Sequence, residues 1–211
     1  MATLEDLRRA VVDGASKLAA DKTSEALREG TAPEVILHDG LIAAMNEVGQ
    51  LFEEGEIYVP EMLVAARAMH SALAVLKPLL AQGDALPTAG TVAIGTVQGD
   101  LHDIGKHLVA LMLEGAGFAV VDLGTDVAPE RFVDAVRAGA EVVALSALLT
   151  TTMTNMKVVV DAIKAEGLRD QVRIIIGGAP ITRRYAEEIG ADGYAPDAAK
   201  AVRAVKEMLA A

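Results

Sequence analysis

The sequence predicts two successive fold classes, an all-α helical bundle followed by an α/β domain built on a parallel sheet. Three observations predict this. Helical apolar spacing runs through residues 1–81, Gly, Pro and Asp cluster at 82–90, and short Val/Ile-rich runs then alternate with amphipathic stretches to the end. The expected division is a bundle over 1–85 and a sheet domain over 90–211.

Each element follows from its own pattern. Leu4, Leu7, Val11 and Leu18 recur at helical spacing in the opening segment. A second helix is expected from Thr31 to Glu53. Thr31 is its candidate cap, with Pro33 and Glu34 in its first turn. Val35, Leu41, Ile42, Met45 and Val48 form its apolar side, and Gly55 ends it. A further helix begins near Pro60 and closes near Pro78. Short, closely joined amphipathic helices make a small bundle. QGDALPTAG at 82–90 is the expected boundary.

Strands are then expected at 91–97, 118–124, 141–148, 172–178 and 192–195. Helices are expected from Gly105 to Gly115, Pro129 to Arg137, Met153 to Glu166, and over ITRRYAEEIG and DAAKAVRAVKEMLA. Alternating strands and helices imply right-handed crossovers and a sheet covered on both faces. Such sheets bind ligands at the C-terminal ends of their strands.

Composition narrows the function classes. Hydrophobic residues are 52% of the chain and charged residues 23%, which excludes disordered and fibrous classes. The formal net charge is −11 with no basic cluster, which argues against a nucleic-acid partner. Cysteine is absent, removing disulfides, thiolate metal sites and cysteine nucleophiles. MATLEDLRRAVVDG lacks the apolar run of a signal peptide, and VVALSALL is too short to cross a bilayer. The expected setting is cytoplasmic, with no membrane partner.

Three motifs fall at the expected strand ends. GTVQGDLHDIGKHLV (95–109) places Asp100, His102, Asp103, Gly105 and Lys106 after the first strand. It has neither the three glycines of a dinucleotide turn nor the spacing of a Walker loop. Asp100 can take the proton on one imidazole nitrogen of His102, fixing the tautomer and leaving the other nitrogen as a metal ligand. His38, His70 and His107 do not assemble a zinc spacing with it. A metal held inside a macrocycle needs only one protein ligand, so the pattern permits such a cofactor without identifying it. The plainer alternative is a polar loop histidine bonded to backbone. SALLTTTM (146–153) brings Ser146, Thr150, Thr151 and Thr152 to the third strand end. The competing reading is a hydroxyl-rich helix start capped by Thr152 or Thr154. GGAP (177–180) ends the fourth strand and permits close backbone approach to a bulky ligand, or simply makes a strand-to-helix turn.

Together these motifs resemble the cobalamin-binding domain of corrinoid proteins in methyltransferase systems and the corresponding modules of cobalamin-dependent methionine synthase. D-x-H-x-x-G matches Asp100, His102 and Gly105, S-x-L matches Ser146 and Leu148, and the glycine pair matches Gly177 and Gly178. GDLHDIGK is particularly close to the methyl-carrier corrinoid proteins. The resemblance implies a flavodoxin-like cobalamin-binding sheet domain preceded by a helical cap. It implies cobalamin as cofactor, as methylcobalamin and cob(I)alamin, bound base-off/His-on. His102 would ligate cobalt, Asp100 would accept its outer N–H, and Thr152 would extend that relay. Asp103, Gly105, Ser146, Leu148, Thr150, Gly177 and Gly178 would contact the cofactor or its nucleotide tail. Met62, Val64, Met69 and Leu73 are candidates for cap contacts whose spacing suits plain bundle core better. Tyr58 could lie near the corrin. His107 stands where relatives often have Asn, with little expected effect.

The implied role is the corrinoid subunit of a multicomponent methyltransferase, not catalytic alone, serving O-demethylation or methylamine metabolism. Its implied partners are a donor-specific methyltransferase, an acceptor methyltransferase, tetrahydrofolate-linked or otherwise, and a reductive activation protein. Rival readings are a cobalamin-dependent sensor, a mutase subunit, and a flavodoxin-like domain for another nucleotide-bearing ligand.

Overall fold

The computed structural model describes residues 2–80 and 89–210. The boundary expected at 82–90 lies outside the described residues except for Ala89 and Gly90. By its internal packing the chain divides into two units, Met1–Thr88 with Gly115–Gly117, and Ala89–Glu114 with Phe118–Ala211.

The first unit is helical. It comprises α1 (Ala2–Val12), α2 (Ser16–Arg28), α3 (Pro33–Val35), a π-helical stretch over Ile36–Ile42, α4 (Ala43–Glu54) and α5 (Val59–Leu80). The chain breaks between α1 and α2 at Gly14, whose φ of +69° suits glycine. The break takes Leu18 off the face shared by Leu7 and Val11. Those two are fully buried, whereas Leu18 is exposed. Thr31 is not the cap of the next helix: Ala32 stands there in extended conformation, with Pro33 inside the first turn. The helix read as uniform is widened to π-type hydrogen bonding around Gly40. A Cβ on Gly40 would sit 3.0 Å from Leu7 Cδ2, so the bare backbone lets α1 come close. Leu41, Met45 and Val48 are buried as their spacing predicts, while Val35 is exposed.

By length and composition alone α5 is long and apolar enough to cross a membrane, unlike the shorter VVALSALL run. Its buried face of Met62, Ala65, Ala66, Ala68, Met69, Ala72, Leu76 and Leu80 is that of a bundle core helix. Met62 and Met69 therefore read as core, Val64 is exposed, and Tyr58 is 69% exposed.

The second unit is a five-stranded sheet of β1 (Thr91–Thr96), β2 (Ala119–Asp122), β3 (Val142–Ser146), β4 (Arg173–Gly177) and β5 (Gly193–Ala195). Every pair is parallel and the order is β2-β1-β3-β4-β5, the doubly wound arrangement of a flavodoxin-like fold. β1, β3 and β4 are buried nearly throughout, which is why they read as continuous apolar runs. Edge strand β2 is not. The crossovers are α6 (Ile104–Gly115), α7 (Pro129–Arg137), α8 (Thr154–Ala165) and α9 (Arg183–Ile189), and α10 (Ala198–Ala210) closes the chain. Phe132 of α7 is fully buried against Gly95 of β1, where a Cβ would fall 2.8 Å from its Cζ. The strand order reverses between β1 and β3. The three motif loops follow β1, β3 and β4, so they meet at one sheet edge.

Candidate functional site

The loop after β1 is organised around Asp100, a fully buried carboxylate. Its Oδ1 accepts the His102 backbone N–H at 3.1 Å and lies 2.7 Å from His102 Nδ1. Its Oδ2 accepts the Leu148 N–H at 2.8 Å and the Thr152 hydroxyl at 2.6 Å, with the Leu149 N–H at 3.4 Å. Burial by itself pushes this carboxyl up. The bonds from Thr152, the Leu148 amide and His102 outweigh that and hold it far below the ordinary carboxylate range.

An ionised carboxylate can only accept hydrogen bonds, so Nδ1 of His102 carries a proton. In the neutral imidazole the lone pair then resides on Nε2. The His102 side chain is 52% exposed, so that lone pair is available to a ligand. The surroundings are unusually apolar for a surface loop, with Leu101 73% and Ile104 81% exposed beside it. A single neutral imidazole, oriented by a buried carboxylate and flanked by exposed aliphatic groups, is a donor set for a metal that brings its own apolar macrocycle. Among the described residues no cluster of three or more acidic or histidine side chains could hold a bare metal ion.

The loop itself is held from three sides. Thr96, fully buried at the end of β1, donates its hydroxyl to the His102 carbonyl at 2.8 Å. Asn155 of α8 donates to the Gln98 carbonyl at 2.7 Å. Asp126, in the loop after β2, accepts the Gly99 N–H at 2.7 Å and donates its own N–H to the Asp100 carbonyl at 2.9 Å. The sequence reading passed over Thr96, Asp126 and Asn155. A strand-end Thr, a loop Asp and a helix Asn look like ordinary polar positions until the fold brings them to the same loop.

The structure sorts the predicted residues. Asp100, His102 and Thr152 come together as one hydrogen-bonded chain, and Leu148 joins it through its backbone N–H. Neither Thr152 nor Thr154 caps α8. The capping position is Met153, and the Thr152 hydroxyl is turned to Asp100 instead. Ser146 is half-buried and Thr150 exposed at the same edge. Gly105 lies open, with nothing within 4 Å of where a Cβ would stand. Gly178 differs: its φ is +132°, and a Cβ there would fall 1.8 Å from the Ala147 carbonyl oxygen. A Cβ on Gly177 would lie 3.0 Å from the Ala195 carbonyl oxygen. Both glycines are thus crowded by neighbouring backbone of the sheet edge itself.

Asp103 begins an ionic cluster. Its carboxylate lies 3.5 Å from His107 Nδ1, while His107 Nε2 lies 3.3 Å from Asp122 Oδ2. Lys106, fully buried, reaches both Asp122 oxygens at 2.6 and 2.5 Å. Burial pushes the Asp122 carboxyl up, but Lys106 and the Gly124 N–H more than reverse this and hold it below its usual value. The pair ties the first turn of α6 to the end of β2. Lys106 was visible in the motif, but its burial was not, because its charged partner stands 16 residues away.

Replacing Thr152 by Val keeps the side chain's shape and deletes one donor to Asp100. The expected cost is about 1–2 kcal/mol by urea denaturation, and Thr152→Ser should recover most of it. An unchanged midpoint in Thr152→Val would show that the hydroxyl does not support the carboxylate.

A family model described as a B12 binding domain matches residues 90–203, and a second of the same description matches residues 3–77. The chain is 47% identical over 179 residues to dimethylamine corrinoid protein 1 of Methanosarcina acetivorans, covering 84% of each chain. It is 45% identical to the trimethylamine corrinoid protein of Methanosarcina barkeri, over 96% of this chain and 94% of that one. The methanol:cobalamin methyltransferase complex of Methanosarcina barkeri contains a chain superposing with a TM-score of 0.89 at 29% identity. That match covers 99% of this chain and 80% of the other.

Proposed function

This chain belongs to the B12-binding family of corrinoid proteins, and on that premise we propose that His102 is the lower axial ligand of a cobalamin held base-off. The protein is a corrinoid methyl carrier, the non-catalytic subunit of a multicomponent methyltransferase system. It passes a methyl group between donor-type and acceptor-type methyltransferase partners in methylamine-related metabolism. A reductive activation protein is a further proposed partner.

One observation carries the assignment of His102. A buried, ionised Asp100 holds the Nδ1 proton and leaves the Nε2 lone pair at an exposed, apolar sheet edge. When bound, cobalamin supplies the cobalt that takes up and gives away the methyl group. The chain's own residues do the rest. His102 presents one nitrogen, and Asp100 keeps the imidazole in the ligating tautomer and raises its basicity. Thr152 donates to the far carboxylate oxygen, so the Asp100 charge is shared between the imidazole on one side and neutral donors on the other. Exposed Leu101 and Ile104 would offer apolar surface to the macrocycle, and the open space at Gly105 would leave room for it. Ser146 and Thr150, at the same edge, would supply hydroxyls to the nucleotide tail of the cofactor.

Two measurements test this reading. The purified chain, supplied with hydroxocobalamin, should retain the corrinoid and show a nitrogen axial ligand. In His102→Ala that signature should vanish and retention should weaken by more than the roughly 10–100-fold typical of a lost supporting residue. Identical spectra in both proteins would remove His102 from the cobalt. Loaded carrier should then accept methyl groups when paired with a dimethylamine- or trimethylamine-specific methyltransferase. Methylation only with a methanol-specific partner would overturn the methylamine assignment.

A further inference from the structure

We propose that Asp126 is a positioning residue for the lower ligand, acting on His102 through the backbone of Asp100; this rests on His102 being the cobalt ligand. Asp126 lies in the loop after β2, on a different element from the ligand loop, yet it grips that loop twice. Its carboxylate accepts the Gly99 N–H at 2.7 Å, and its backbone N–H donates to the Asp100 carbonyl at 2.9 Å. The two bonds hold the peptide units on either side of the Gly99 to Asp100 linkage. They seize the segment from which the buried carboxylate rises to meet His102 Nδ1.

The backbone of Asp126 is itself unusual. Its φ of +53° makes it the one non-glycine residue with positive φ among the described residues. Asp and Asn tolerate this left-handed region better than other side chains, but glycine is the residue that occupies it freely. Gly99, the residue it grips, also has a positive φ, of +82°. The strained backbone is explained if the carboxylate is needed more than conformational ease. The neighbouring ladder agrees. Val127 pairs with Val97, and the Val127 N–H donates to the Thr96 carbonyl, so Asp126 stands where the β1–β2 pairing runs out and the ligand loop begins. The sheet's regular hydrogen bonding is thereby extended by one side chain to the ligand's support. A shift of that segment would move the Asp100 carboxylate, and with it the height and tilt of the imidazole.

The substitution Asp126→Gly removes the carboxylate while suiting the left-handed backbone, so strain does not confound it. Asp126→Asn keeps an acceptor oxygen at the same place. The full chain carrying each change is read in two ways. In the protein without corrinoid, proton NMR follows the Nδ1–H of His102 in its short bond to Asp100. In the protein loaded with hydroxocobalamin and reduced to cob(II)alamin, electron paramagnetic resonance gives the fraction with an axial nitrogen. Asp126→Gly is expected to broaden or lose the NMR signal and to lower the ratio of ligated to released histidine about fivefold, the worth of one hydrogen bond. Asp126→Asn is expected to restore both. An unchanged NMR signal in Asp126→Gly overturns the proposal, whatever the corrinoid result. A wild type that shows the NMR signal but no axial nitrogen overturns the ligand assignment instead. Should Asp126→Gly fail to fold, Asp126→Asn carries the test, and loss of both signals in that variant, which keeps the acceptor oxygen, overturns the proposal.

Discussion

Asp100→Asn is expected to cost about 2–3 kcal/mol of stability and to put His102 in the wrong tautomer. The carboxylate now satisfies four close donors, two on each oxygen, from a position without solvent. An amide offers one acceptor oxygen and one NH2, so one pair of donors must face another donor. Turned toward Leu148 and Thr152, the NH2 meets a backbone N–H that cannot reverse its role. Turned toward His102, it displaces only the longer His102 N–H contact of 3.1 Å, against the 2.8 Å Leu148 bond on the other side, and lets the imidazole adapt by accepting at Nδ1, which shifts the ring proton to Nε2. That second arrangement removes the lone pair proposed to bind cobalt, and corrinoid retention should fall about 10–100-fold. A ring-nitrogen NMR spectrum that still shows protonated Nδ1 in Asp100→Asn would defeat this account.

The same carboxylate predicts an acid limb in the stability curve. Its pKa in the folded protein lies below its unfolded value, so its contribution is fully present above about pH 4, the ordinary aspartate range. Stability is lost as pH falls below that toward the folded pKa, because the unfolded chain takes up the proton first. The linkage slope between pH 4 and pH 2 should therefore be shallower by about one proton in Asp100→Asn, measured by urea unfolding at stepped pH. Equal slopes would mean that Asp100 is not the group whose ionisation the fold protects.

Gly178→Ala is expected to be among the most damaging single-methyl changes in the chain, at more than about 4 kcal/mol. The new Cβ would meet a backbone carbonyl oxygen, which has no rotamer by which to retreat, and φ of +132° lies where an L side chain is strained. Gly105→Ala provides the contrast. Its Cβ would enter open space at the start of α6, so folding should be unaffected or favoured by up to about 1 kcal/mol. If the corrinoid packs beside Gly105 as proposed, that variant should fold normally and load poorly. Gly178→Ala should fail at the earlier step. A Gly178→Ala protein with the wild-type urea midpoint, or a Gly105→Ala protein with full corrinoid uptake, would break the distinction between the two glycines.

Much of this was legible in order along the chain, because it depends on neighbours in sequence. The buried parallel strands announced themselves as Val/Ile runs, Pro129 and Arg137 bounded α7 as expected, and Asp100 and His102 are two residues apart, close enough for their pairing to be inferred from spacing alone. Where local pattern misled, packing or an unseen break was responsible. Leu18 left its expected face because Gly14 interrupts the helix, and a helix read as uniform took π bonding at the point where Gly40 admits Leu7. The local pattern at Thr152 also suited a helix cap, but the family resemblance set it beside Asp100, and it donates there because β1 and β3 lie side by side.

What the sequence by itself determined was the two-part fold, the family through its motifs, and the pairing of Asp100 with His102. Periodicity, composition and a short motif are local properties, and the chemistry of an imidazole next to a carboxylate is local too. Only the tertiary structure decided how that loop is held. The grips of Asp126 on Gly99, Thr152 on Asp100, and Lys106 on Asp122 span 27, 52 and 16 residues. Hydrogen bonds act only at about 3 Å, and such pairs reach that separation only after the sheet has set its strands in their order.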